Sequence, residues 1–246
     1  KQIFINWEIS SSDIVLLNNC LESDLTSYFF KAFESFAQAL IDVHNKKYSW
    51  AIVKLYYSTF YLLRCDILIS KHLIVRCGGL YYSEIITGNK FKLYQKNKIR
   101  GDHQLTISLV KELHQNGKLI DPILDNKIDD VDAYTWLMQN RERINYSQKN
   151  FKEPNVDSVF SHIDNYFETL KLVDLFKFYN SKDYSICFDL DHSILSIPFK
   201  KMIQIWKKSN GKIDISGDFL RKIIFYLNAL SDYNIKKNDI YSIMNE

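Results

Sequence analysis

The stretch from Tyr48 to His72 constrains the fold more than any other part of the chain. Trp50, Ile52, Val53, Leu55, Tyr56, Tyr57, Phe60, Tyr61, Leu62, Leu63, Ile67 and Leu68 put apolar or aromatic groups on most of a helical circumference. A helix of that kind must be enclosed on several sides, so the reading is a bundle built around it. Composition agrees. With 7 Gly and 3 Pro in 246 residues, the chain lacks the tight turns that a sandwich or barrel requires. Its 46% apolar content is enough for a substantial core.

The alternation Ile3, Ile5, Trp7, Ile9 predicts a short strand or an extended lead-in. Ser10 to Asp13 reads as the cap of a short helix ending near Leu21. A second helix is expected from Ser23, with Phe29, Phe33, Phe36, Leu40 and Val43 at spacings of three and four. Gly78-Gly79 closes the central region, and 80–100 reads as an exposed excursion, irregular or partly helical. An amphipathic helix with Leu105, Leu109, Val110 and Leu113 inward should stop at Asn116-Gly117. Pro122 and an acidic segment lead to a helix near 129–147, and Asn155 should cap another running to Tyr179. After a soft boundary at 180–183, helices are expected near 191–208, with Pro198 inside, 216–231 and 236–244. The fold class is all-α: an antiparallel bundle of four to five long helices over 23–179, a lead-in at 1–22 and a helical extension at 180–246.

Charge and motifs remove many functions. Lys plus Arg is 32 against 29 acids, a net of +3, too balanced to mark a nucleic-acid binder on charge alone. Phosphate-binding loops, dinucleotide fingerprints, HExxH and GxSxG are all missing. The closest two cysteines, Cys65 and Cys77, are 12 residues apart, without zinc spacing, and Cys65 is expected to be buried. Asp189, Asp191 and His192 resemble a metal-ligand triplet, but a helix cap with solvated acids is favoured, so neither metal nor cofactor is expected. No leader pattern and no run of about 18 apolar residues is visible, which points to a cytoplasmic protein without a membrane segment.

Arginine is scarce: six of the 32 basic residues, two of them at Arg141 and Arg143. Helical spacing puts Arg141 with Asn145 on one face and Arg143 with Tyr146 on another. Such a group can grip phosphate or stack on bases. Equally, it can be an Arg–carboxylate network through Glu142 or Asp66. Arg64 and Ser58 are polar groups in the central helix whose burial requires partners, and Tyr57 shares a face with Arg64. His103 reads as a surface neighbour of a capping Asp102, with an acid–base role as the alternative.

These stretches resemble a known family. Tyr56-Tyr57-Ser58-Thr59-Phe60-Tyr61-Leu62-Leu63-Arg64, Gly101-Asp102-His103-Gln104 and Arg141-Glu142-Arg143-Ile144-Asn145-Tyr146 are similar, in order and spacing, to the motifs of the HEPN domain, the higher eukaryote and prokaryote nucleotide-binding superfamily. The resemblance covers about 23–175. It implies an antiparallel helical bundle, often homodimeric, and in many members a metal-independent ribonuclease of toxin or antiphage systems, with Arg and a following His at the site. Here no His follows Arg141 or Arg143 before His162, and Asn145 or Tyr146 stands in its place. Asn carries no proton between groups, and Tyr ionises only near pH ~10. The expectation is therefore a non-catalytic module that dimerises or docks on a defence-system partner. The alternatives are a metal-independent ribonuclease using Arg141, Arg143, Tyr146 and His103, or an RNA- or nucleotide-binding module using Arg141, Arg143, Asn145, Tyr146, Arg64 and Tyr57.

Overall fold

The computed structural model describes residues 6–94, 101–181, 185–214 and 217–230. Arg100, most of the lead-in alternation and the helix expected at 236–244 lie outside the described residues. The chain is predominantly helical, as the apolar central segment requires. Helix α1 spans Ser11–His44, and α2 spans Tyr48–Ile69. They run back on each other and form the largest interface of the fold. Helices α3 (Asp102–Gln115), α4 (Ala133–Glu142), α5 (Ile163–Glu168), α6 (Leu172–Asn180), α7 (Ser193–Ser209) and α8 (Asp218–Ala229) follow. Of these, α3, α4 and α7 pack on α2, so its apolar circumference is covered from several sides.

Several boundaries differ from the sequence expectation, each for a local reason. Only one helix fills 11–44, because Leu21, Leu25 and Phe29 continue a single buried stripe through Ser23 with no Gly or Pro to stop it. Its start is as expected: Ser10 accepts from the Asp13 backbone N–H, and Asp13 accepts from the Ser10 N–H at 2.9 Å, a reciprocal cap. The segment after α2 is not an irregular excursion. His72–Arg76 (β1), Leu80–Glu84 (β2) and Lys92–Leu93 (β3) form an antiparallel sheet, with Gly78 at φ 60 in its first turn. A second hairpin, Lys127–Ile128 (β4) with Val131–Asp132 (β5), precedes α4.

The helix expected from Asn155 to Tyr179 is broken into a short 3-10 turn, α5 and α6. Asp157 caps the turn instead of Asn155, and Leu170 at φ 57 separates the two helices. The end of α3 follows the sequence reading closely. Gly117 takes φ 69, and the N–H groups of Gly117 and Lys118 donate to the carbonyls of His114 and Leu113, closing a Schellman motif. One continuous buried cluster joins α1 through α8, so α7 and α8 share a core with the helices before residue 180. Cys65 is buried in it. Among the described residues no helix is long and apolar enough to cross a membrane.

Candidate functional site

The motifs on α2, α3 and α4 meet at one place. α4 ends at Glu142 and the chain continues as a π-turn over Arg143–Ser147. A π-turn closes i to i+5 and aligns residues five apart, which an α-helix does not. Arg141 therefore meets Tyr146, its guanidinium carbon 5.5 Å from the ring centroid, and Asn145, the partner expected from α-helical spacing, is simply exposed. The same guanidinium lies 5.8 Å from the Tyr56 ring and 5.9 Å from the Tyr57 ring, both on α2. Arg141 is half-buried, its Nε has no hydrogen-bond partner, and no carboxylate pairs with it among the described residues.

Arg143 does something else. It grips Asp157 in a fork, Nη1 to Oδ2 at 3.0 Å and Nη2 to Oδ1 at 3.1 Å, and reaches Asn140 at 3.4 Å. The carboxylate network is thus real for Arg143, with Asp157 as its partner in place of Glu142 or Asp66. The cluster that the sequence grouped as one site divides into an arginine neutralised by Asp157 and one, hydrogen-bonded to Tyr57, that is free of any carboxylate among the described residues.

His103 belongs with the free one. Gly101, not Asp102, is the cap of α3, and half-buried Asp102 pairs with Arg76 at 3.3 Å. The His103 ring turns inward and is no surface neighbour of a cap. It packs 4.3 Å from the Phe60 centroid, and its Nδ1 lies 2.9 Å from the Tyr56 hydroxyl. Burial first, and then the positive charges of Arg141 and Arg64, lower its pKa, against the opposing pull of Asp102. Burial raises that of Tyr56, with Arg141 pulling the other way, so the phenol stays protonated at neutral pH.

A row of rings continues from this point along α2. Tyr57 lies 6.2 Å from Tyr61, which stacks on Tyr28 of α1 at 6.3 Å. Exposed Lys31 sits over Tyr28 and Tyr61 at 5.6 and 5.8 Å. Arg64 lies over Tyr28 at 5.5 Å and donates to its hydroxyl at 3.4 Å, while Nη1 is buried without a partner. No carboxylate pairs with Arg64 among the described residues. Arg64 and Tyr57 share a strip as expected, joined through Tyr61. From exposed Tyr146 through half-buried Tyr57, Tyr61 and Tyr28 to Arg64, the surface alternates aromatic rings with cations that have no carboxylate partner among the described residues.

A second ionic cluster escaped the sequence reading. Lys201 of α7 is fully buried, forms an ion pair with Asp66 of α2 and donates to Asp121 Oδ2 at 2.7 Å. Tyr134 donates to the same Asp121 oxygen at 2.5 Å, and Lys208 reaches Asp66 Oδ1 at 2.8 Å. The one signal in the sequence was a lysine inside an apolar helix, the same signal that singled out Arg64. Two acids and two lysines balance, so this cluster is a closed structural network, without a free charge to offer a ligand.

Comparison of the chain with protein-family models, with curated proteins and with solved structures found no match.

Proposed function

We propose that the chain is a single-stranded RNA-binding helical module whose site runs from Tyr146 and Arg141 along Tyr57, Tyr61 and Tyr28 to Arg64. The observation that carries this is the pair of half-buried guanidiniums without carboxylate partners among the described residues, at the two ends of an aromatic row. Backbone phosphates supply the missing counter-charge, and exposed rings stack on any base, each stack worth about 1–3 kcal/mol. Such a strip suits an extended strand better than a duplex, whose bases are already stacked. The HEPN resemblance forms part of this proposal, since its α2 and α4 motifs are the ones that converge here. The partner-docking reading has no comparable observation behind it.

Fluorescence anisotropy with a labelled single-stranded RNA tests the reading. Binding is expected for the parent chain and lost in Arg141→Ala and Arg64→Ala at unchanged helical content. The logarithmic salt slope should fall by about 0.7 for each phosphate contact removed. Equal binding by the parent and both variants sinks the proposal.

His103 favours a second reading, metal-independent cleavage. Its imidazole would accept the 2′-hydroxyl proton while Arg141 stabilised the charged phosphorane. Transesterification also requires a donor for the 5′-oxygen that leaves, and His103 is the single imidazole at this site among the described residues. Binding without turnover is therefore the primary reading. RNA cleavage in EDTA, abolished in His103→Ala, would reverse that order.

A further inference from the structure

Of the triplet Asp189, Asp191 and His192, the last two gain a third group that the sequence does not bring near them, and Asp189 is not part of the cluster. His162, just before α5, places Nδ1 2.7 Å from Asp191 Oδ2, and its ring lies 5.8 Å from that of His192. One ligand atom from each of His162, Asp191 and His192 falls within 4.8 Å of the others. We propose that these three residues bind a divalent transition-metal ion of the zinc class, leaving an open fourth position.

Three features of the surroundings support this. First, His192 is buried, with 4% of its surface exposed, and Tyr179 holds its Nδ1 at 2.9 Å. With the hydroxyl accepting from Nδ1–H, that contact fixes the ring and leaves Nε2 as the lone-pair donor for a ligand, the outer-shell arrangement metal-binding histidines use. Second, the donors are two imidazoles and one carboxylate. This set suits zinc and its neighbours, whereas magnesium and calcium prefer oxygen ligands throughout. Third, the closure needed is small and falls on the exposed side of the site. Tetrahedral zinc at about 2.0–2.2 Å from each donor places the donor atoms roughly 3–3.5 Å apart. The His162 side chain is 69% exposed, so it can move inward without disturbing the core, while Asp191, 23% exposed, already sits beside it.

The ion would take the place of the direct His162–Asp191 contact. It would also tie the start of α5 to the start of α7. The site is remote in sequence from the aromatic strip and owes nothing to the RNA reading.

Titration of the purified full chain with Zn2+, and with Co2+ as a spectroscopic substitute, is the test. One equivalent per chain is expected, with visible Co2+ bands of tetrahedral intensity. At about one-hundredfold saturation the Tm should rise by roughly 5–10 °C. His162→Ala changes an exposed ring and should keep the fold while weakening Zn2+ binding by a hundredfold or more. Asp191→Asn should weaken it as well. Tyr179→Phe should weaken it by roughly 10–100-fold through loss of the tautomer constraint. Absence of stoichiometric binding overturns the proposal. So does equal binding by His162→Ala, which would place the ion elsewhere, for example at the His114–Asp125 pair, 3.1 Å apart.

Discussion

Two arginines two residues apart have opposite electrostatic roles. Arg143 is spent on Asp157, whose side chain is only 5% exposed. Truncating it leaves that carboxylate with only the Val159 N–H among the described residues. Arg143→Ala should cost about 1–3 kcal/mol in chemical denaturation and leave the RNA salt slope unchanged. Arg141 has no such partner, so Arg141→Ala should change binding and barely change stability. If the two variants exchange these phenotypes, the division of the cluster is wrong. His103 adds a dependence on pH. Its pKa is held below the ordinary 6.5 by burial, Arg141 and Arg64. A bound phosphate opposes all three, so the complex takes up a proton more readily than the free chain. RNA affinity should therefore rise as pH falls from 7.5 towards 5.5, and His103→Gln should flatten the profile. Anisotropy measured at fixed salt across that range checks the sign.

At the scale of elements, turn chemistry sets the geometry more than hydrophobic period does. Gly117 illustrates this, because an alanine Cβ there would meet nothing within 4 Å, yet φ is 69. Gly117→Ala should therefore cost about 1 kcal/mol from backbone strain alone, measurable as a lower urea midpoint at unchanged m-value. That stop was legible in Asn116-Gly117, as were the Ser10–Asp13 cap and the burial of α2, since each rests on contacts within a few residues. The β1–β2 hairpin was equally local. Leu73, Ile74 and Val75, then Gly78-Gly79, then Leu80, Tyr81 and Tyr82 are a strand–turn–strand signal, masked by reading the glycines only as a stop. The π-turn after Glu142 was not legible. Its closure rewards the Arg141–Tyr146 contact and the Arg143–Asp157 fork, and the fork depends on chain that returns 14 residues later. For that reason the candidate residues Arg141, Tyr146, Tyr57, Arg64 and His103 were found, but their pairing was not.

For the whole molecule the decisive interaction is the buried charge network that joins α2, α4, α7 and the turn at Asp121. Replacing Lys201 with Met keeps most of the volume but leaves the Asp121 carboxylate with two neutral donors, the Tyr134 hydroxyl and the Ile123 N–H, and the distant charge of Lys208. Breaking a buried pair by removing one partner costs about 3–5 kcal/mol, and Lys201→Met should lose that much at pH 7. The dependence on pH is more diagnostic, because its sign reverses. In the parent chain burial alone would raise the Asp121 pKa, but Lys201 and Tyr134 overcome it and hold the value below 3.8. A carboxylate depressed on folding adds stability that is complete above its unfolded pKa and is lost as pH drops below about 4. Lys201 is raised above 10.5, so its contribution is complete below that value and fades only in strong alkali. Between those limits the network contributes a plateau. Without Lys201 the burial of Asp121 is no longer offset, its pKa rises above the unfolded value, and the folded state binds the extra proton. Lys201→Met should therefore become more stable as pH is lowered from 7 towards 5, where the parent is flat. Adding Asp121→Asn should remove that slope and restore part of the loss. Urea midpoints for the three proteins between pH 5 and 8 decide the matter, and a flat profile for Lys201→Met would mean that Asp121 finds solvent or another cation once the lysine is gone.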